Sequence, residues 1–399
     1  MRTEVPRVSA GLHPRNPQNP RNPQNPRSRS PGYYVWQRLR RNVGAMFGLV
    51  VIAAAALVAL LGYAILPDSS PNANAAVPAL QKQPPGFTVP VVHVQRSDVP
   101  PAPGGLTFLL YGREPATRLV PTARVVPVGG DSVRLEPPAV LGLPAGSGEI
   151  VRRAELAENH SITQSLNHTF SLGTDRAGRD ELSRLLLGTR VSLGIGLVAA
   201  LLSLVLGATV GAVGGYFGGW PDRAARFLMT VVWSIPGVML VVAISLAVNS
   251  KGAWVTFVAV GFTMWVDVAR VVRGQMLSLK EKPFVDAQRV LGIPTARIVV
   301  RHLLPNMLGP LIVVTTANFA SAILLEAGLS FLGLGVQPPA PSWGLMVSEG
   351  FQLLGTRAGF WLTLWPSLAI SALVFAFNLL GNGLRDAFDP ATPLTAGRA

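Results

Sequence analysis

Long uninterrupted apolar runs constrain this chain more than any other feature. The first covers 43–66, and others lie at about 191–216, 227–248, 254–272, 307–333 and 360–381. At a rise of about 1.5 Å per residue, roughly 20 apolar residues cross the ~30 Å hydrocarbon layer. Six such runs predict an all-α multispanning membrane protein with six transmembrane helices. Composition agrees, because only 14% of the residues are charged and 49% are hydrophobic. A soluble domain carries about a quarter of its residues charged.

The net charge of +14 would fit a nucleic-acid binder. The arginines, however, gather in the N-terminal tail and beside the apolar runs, as expected of basic residues kept on the cytoplasmic side of a membrane. The lipid bilayer is therefore the expected partner, with no nucleic acid. The chain has no cysteine, which excludes disulfides and thiolate metal sites. None of His13, His93, His160, His168 and His302 lies in an apolar run, so no intramembrane histidine metal site is expected. The sequence has no Gly-Lys dipeptide and hence no phosphate-binding loop of the usual kind. No catalytic role is expected of this chain, and ATP-driven work would need another chain to hydrolyse the nucleotide.

Between the runs the organisation is uneven. Residues 1–42 form a polar tail in which RNPQNP occurs twice, at 15–20 and 21–26, and such proline density predicts disorder. Tyr33, Tyr34 and Trp36 then precede Arg38, Arg40 and Arg41, a pairing typical of the membrane interface. Residues 67–170 are a polar, proline-rich insertion between the first two spans. Strand-like stretches at 87–94, 106–111, 123–128 and 132–135 predict a small β-rich domain, with a partly disordered loop as the alternative. One crossing from a cytoplasmic tail places it outside the membrane. Residues 171–390 form the membrane core and 391–399 a second tail, with both termini cytoplasmic.

Several residues stand out within the core. Ser203, Gly207, Gly211 and Gly215 recur every four residues, and small side chains at that spacing let membrane helices approach closely. The stripe predicts packing inside the bundle or against a second subunit. Pro236 falls inside the third span and predicts a kink, which is a candidate for gating or a plain structural bend of the kind many membrane helices carry. Glu326 is an ionisable group inside a span, where charge is costly and often functional. The alternative is that it lies near the outer end, hydrogen-bonded or facing water. Asp267 and Arg270 are spaced to pair across a helical turn.

The basic, amphipathic loop 276–306 lies between the fourth and fifth spans. Phe284, Ala287 and Leu291 share one helical face, with Asp286 and Arg289 on another. Gly292 should stop the first helix in a left-handed cap. Pro294 should start a second helix, and Leu304-Pro305 should end it. The expected product is a two-helix knob on the cytoplasmic side.

Asp286-Ala287-Gln288, Gly292 and Leu304-Pro305 resemble the EAA motif of permease subunits in bacterial ABC importers. Asp286 replaces its first Glu, Gln288 its second Ala, and His302 its Ile. The segment G-T-D-x-x-G-R-D-x-L-S-R-L, 173–185, resembles the start of the core in dipeptide and oligopeptide permeases of the C-subunit type; a short surface helix is expected there ahead of the second span. The stretches 326–344 and 378–386, with Asp389-Pro390, are similar to the same subgroup. The resemblance implies a type I permease fold in the inner membrane of a bacterium. It implies a second permease subunit, two cytoplasmic ATPase subunits that use ATP and Mg, and an external solute-binding protein, with no cofactor bound by this chain. By that resemblance Asp286, Ala287, Gly292, Leu304, Pro305 and Asn306 would dock in an ATPase groove. Two other readings remain: a secondary transporter relying on Glu326, and a membrane-anchored protein acting through the insertion.

Overall fold

The computed structural model describes residues 31–97, 99–101, 103–142, 148–156, 166–248 and 253–389. The repeat tail up to residue 30, residues 249–252, where the sequence predicts a short outer turn, and residues 390–399 lie outside the described residues. The chain begins with α1 (Pro31–Arg41) and α2 (Val43–Ile65). Asn42 separates them, because its side chain accepts from Ala45 N at 3.0 Å and starts a new helix. The expected disorder of 1–42 is thus corrected for 31–41, where Tyr33, Tyr34 and Trp36 are exposed and Leu39 is buried against Ala45 and Ala387.

The insertion contains β1 (Phe87–Gln95), α3 (Gly105–Tyr111), β2 (Thr117–Pro121), β3 (Arg124–Gly129), β4 (Ser132–Glu136), β5 (Glu149–Arg152) and β6 (Leu166–Phe170). They form two antiparallel three-stranded sheets, ordered β2-β1-β6 and β3-β4-β5. Val94, Val120, Val133, Leu135 and Val151 make a buried core between them. The expected strand at 106–111 is helix α3 instead. A lone strand there would need a sheet partner, whereas a helix satisfies its own amides, and Arg190 Nη2 and Nη1 cap the carbonyls of Leu109 and Leu110 at 2.8 and 2.9 Å.

The core comprises α4 (Glu181–Phe217), α5 (Gly219–Trp233), α6 (Gly237–Val248), α7 (Ala253–Leu279), α8 (Pro283–Val290), α9 (Thr295–Ile298), α10 (Leu304–Asn306), α11 (Leu308–Phe331), α12 (Trp343–Phe351) and α13 (Arg357–Phe388). Among the described residues five helices are long and apolar enough to cross a membrane: α2, α4, α7, α11 and α13. The expected third span is a broken one. α5 and α6 meet at 92°, and they supply a sixth crossing only if the bent pair counts as one. Pro236 lies at the break rather than inside a helix, since it lacks an N–H and disfavours helical geometry in the residue before it.

The expected surface helix ahead of the second span is also absorbed. One helix of 37 residues runs from Glu181 to Phe217, about 55 Å at the standard rise. It begins where Asp180 accepts from Ser183 N at 2.8 Å, and no proline interrupts the helix from there to Phe217. Its length exceeds the hydrocarbon layer, so its first turns stand beside the insertion.

Candidate coupling loop and membrane core

α4 and α7 share the longest helix interface in the bundle. Ser203, Gly207, Gly211 and Gly215 are all buried, and the glycines face α7. A Cβ on Gly207 would come to 2.5 Å of Trp265 O, on Gly211 to 2.5 Å of Ala269 O, and on Gly215 to 2.8 Å of Met276 Cβ. Ser203 Oγ donates to Ala200 O at 2.9 Å, and Asn318 Nδ2 of α11 bridges it to Met264 O of α7. The stripe therefore lies within the bundle.

Glu326 is fully buried in the last turns of α11, and its Oε1 accepts from Ser330 Oγ at 2.7 Å. Ser342 Oγ, which caps α12, lies 3.5 Å from Ser330 Oγ. Glu326 thus ties α11 toward α12 and does not face water. Asp267 forms no ion pair with Arg270 in the structure; the Arg270 guanidinium sits 3.8 Å from the centroid of the Trp233 ring. A cation over an indole face competes well with an exposed pair on one helix.

The loop after α7 is built on a buried base. Val285, Ile298, Leu303 and Met307 pack with Val268, Val272 and Met276 of α7, Ala212 of α4 and Leu311 of α11. Lys280 Nζ donates to Gly215 O at 3.0 Å, and Arg273 grips Asp222 of α5 through Nε–Oδ1 at 2.5 Å and Nη2–Oδ2 at 2.9 Å. Pro283 occupies the first turn of α8, where its missing N–H costs nothing. The helix ends in a Schellman cap. Ile293 N donates to Gln288 O at 3.1 Å and Gly292 N to Arg289 O at 3.0 Å, with Gly292 at φ +70°.

Pro294 caps α9 as its preceding residue, and a π-helical turn, Val299–Leu303, comes next. The expected stop at Leu304-Pro305 is corrected: Pro305 lies in the further turn α10, and the helical path breaks at Met307. Pro305 cannot donate to the turn before it, and the wider π turn sits where that donor is missing.

Asp286, Ala287, Gly292, Pro305 and Asn306 are exposed, and Leu304 is half-buried. The Phe284/Ala287/Leu291 face is not the side that packs on the bundle; that side carries Val285. Val290 is 88% and Leu291 76% exposed. Arg289 Nη1 donates to Asp286 Oδ1 at 3.0 Å. The loop thus offers an apolar and charged surface on a base fixed to three core helices.

The sequence reading missed a second polar cluster, at the opposite end of α4. Asp175, Arg179, Asp180, Glu181, Arg184 and Glu349 are buried together beside the insertion. Burial pushes the Asp180 carboxyl above the usual range, against hydrogen bonds from Ser183 that lower it. The density of charge in 175–184 was the available signal, but its partner on α12 is distant in sequence.

Comparison with known proteins agrees with this architecture. Residues 190–392 match the binding-protein-dependent transport system inner membrane component family. Residues 30–85 match the N-terminal transmembrane domain of oligopeptide transport permease C. The oligopeptide transport system permease protein OppC of Escherichia coli K12 is 44% identical over 218 residues, 55% of this chain and 71% of that protein. The dipeptide transport system permease protein DppC of Bacillus subtilis 168 is 38% identical over 252 residues, 63% of this chain and 77% of that protein. The glutathione transport system permease protein GsiD of E. coli O1:K1 is 40% identical over 238 residues, 59% and 78% of the two chains. The chain belongs to the binding-protein-dependent transport system inner membrane component family. It is a multi-pass membrane permease component of an ABC import system.

Proposed function

We propose that this chain forms, with a second permease subunit, the path by which peptides or related small solutes enter the cell from an external solute-binding protein. Two cytoplasmic ATPase subunits, using ATP and Mg, would drive it, and this chain would bind no nucleotide. The observation that carries the reading is the loop from Pro283 to Asn306: a Schellman-capped knob with Val290 and Leu291 outward and Val285, Ile298 and Leu303 fixed to α4, α7 and α11. Such a knob passes a displacement of an ATPase to the membrane core as a unit. The names of the related permeases support a peptide-like substrate. A secondary transporter has less support, because Glu326 is hydrogen-bonded inside the bundle rather than open to a pathway.

Arg38 Nη1 donates to Asp389 O at 2.7 Å, so both described ends lie on one face of the bundle. We assign that face to the cytoplasm from the arginine clusters. Single cysteines at the exposed Ser97 and Gln352 should then react with an impermeant thiol reagent in intact, outer-permeable cells, and one at Ala296 should not. Labelling of Ala296 alone would invert this orientation. The coupling role is tested with Asp286→Arg in the reconstituted complex. Insertion and pairing with the second permease should persist, while ATP hydrolysis stimulated by loaded binding protein falls several-fold. Full stimulation would remove the loop from the coupling path.

A further inference from the structure

The turn ahead of α4 is organised by Asp175. Its Oδ1 accepts from Ala177 N at 2.8 Å and Arg179 N at 3.0 Å; its Oδ2 accepts from Arg179 Nε at 2.6 Å and lies 3.4 Å from Arg184 Nε. The same Arg179 guanidinium reaches two further elements. Nη1 donates at 3.1 Å to Asn74 Oδ1, in the strap that leads from α2 into the insertion. Nη2 lies 3.6 Å from Glu349 Oε2 in the last turn of α12, and Arg176 Nη2 lies 3.2 Å from Glu349 Oε1.

Glu349 is held there against its own helix. An acid in a last turn opposes the macrodipole, so the arginines must supply the reason it is buried there. α12 in turn has little freedom. Trp343 Nε1 donates to Leu185 O of α4 at 2.9 Å, and a Cβ on Gly188 would come to 2.9 Å of Trp343 Cδ1. Gly344 lies against Ala327 and Ser330 of α11, and Gly350 against Leu362 and Thr363 of α13. α12 is therefore a wedge among three spanning helices, and its only charged grip on the strap of the insertion passes through Arg179, among the described residues. Hydrogen bonding in the surrounding cluster is incomplete: the Arg184 side-chain nitrogens, Glu181 Oε1 and Glu349 Oε1 make ion-pair contacts at most among the described residues. Leaving buried polar groups short of hydrogen bonds costs free energy.

We propose that Arg179 and Glu349 are a positioning pair that relays movement of the external insertion to α12, and so to the outer ends of α4, α11 and α13. The relay rests on the importer reading, in which an external protein engages the outer face. It must act through a difference in contact energy between two placements of α12.

The full complex is tested with Glu349→Gln, which cuts the α12 end of the relay, and Asn74→Ala, which cuts the strap end at an exposed side chain. Hydrogen exchange is read together with ATP hydrolysis, with and without loaded binding protein. In Glu349→Gln, exchange of the α12 amides should rise about tenfold, while α7 amides stay unchanged. Both variants should keep subunit copurification and basal hydrolysis and lose at least about half of the stimulation. Unchanged α12 exchange in Glu349→Gln, or full stimulation in Asn74→Ala, would overturn the relay. A wild-type chain that draws no ATPase would sink the importer reading instead. Exchange would then still decide the relay: loosening of the Asn74 and Ala75 amides together with α12 in Glu349→Gln supports it, and loosening of α12 alone overturns it.

Discussion

The glycine stripe of α4 and the glycine of the loop after α8 use the same residue for opposite reasons. At Gly211 the backbone is helical and any amino acid could adopt it, but a Cβ would come to 2.5 Å of Ala269 O and 2.9 Å of Val272 Cβ. At Gly292 nothing lies within 4 Å of a would-be Cβ, yet φ is +70°. The first glycine is required by its neighbours, the second by its own dihedral. Tight packing resists added volume in proportion to how little its surroundings can yield. A left-handed position resists any Cβ wherever it sits, with asparagine the mildest replacement.

The largest effect is expected at the buried interface. Gly211→Leu should cost roughly 3 kcal/mol or more, seen as loss of folded, membrane-inserted chain, and Gly211→Ala should cost about 1–3 kcal/mol. A stable, fully assembled Gly211→Leu variant would show that α4 and α7 can part, and the contrast between the two glycines would collapse.

Next in size is Gly292. The left-handed conformation costs a residue with a Cβ about 1–2 kcal/mol, with valine worst and asparagine least. That strain falls on an exposed bend with open space around it, so the purified chain should stay folded and melt only slightly lower. Coupled ATP hydrolysis in the reconstituted complex should fall in Gly292→Val and recover in Gly292→Asn. An equal loss of folded protein in Gly292→Val and Gly211→Leu would mean that the loop is part of the core.

The ion pair between Asp222 and Arg273 stands between these cases, joining α5 to the loop end of α7. Asp222→Asn removes the negative charge and one of the two acceptors of this charge-assisted contact and should cost about 1–2 kcal/mol in a melting measurement. No change in melting would show that α5 is held by packing of Ala225 and Met229 alone.

The smallest effect should appear in the insertion. The hydrogen bonds from Arg118, chiefly, hold the Glu149 carboxyl below its ordinary range, and both groups are well exposed. A depressed carboxylate contributes stability above its unfolded pKa and loses it as pH falls through the lower folded value. Protection of the β4 and β5 amides, taken relative to their intrinsic exchange rates, should therefore fall slightly in acid, and Glu149→Gln should abolish that dependence. An acid response unchanged in Glu149→Gln would assign it to other carboxylates.

Local features were readable in the sequence where they depended on a residue and its immediate neighbours. The Gly292 cap stems from glycine after an amphipathic run, and the membrane-spanning part of α4 from an unbroken apolar stretch with small residues at every fourth place. The Pro236 break was visible as a proline but not as a 92° turn, because its angle depends on how α6 packs against α7. The strand expected at 106–111 failed because propensity said nothing of Arg190, which caps those carbonyls from another helix.

The sequence by itself determined that this chain crosses a membrane several times, carries a strand-rich insertion after the first crossing, and exposes a bent, basic loop between two spans. Apolar length, turn residues and charge placement act over a few residues and need no partner. Only the tertiary structure decided that the stripe of α4 meets α7, that Val285 rather than Phe284 faces the bundle, and that Glu349 closes a charge cluster begun at Asp175. Each of those depends on which surfaces meet after the chain has folded back on itself. Contact energies between residues distant in sequence set that outcome, and no local pattern encodes them.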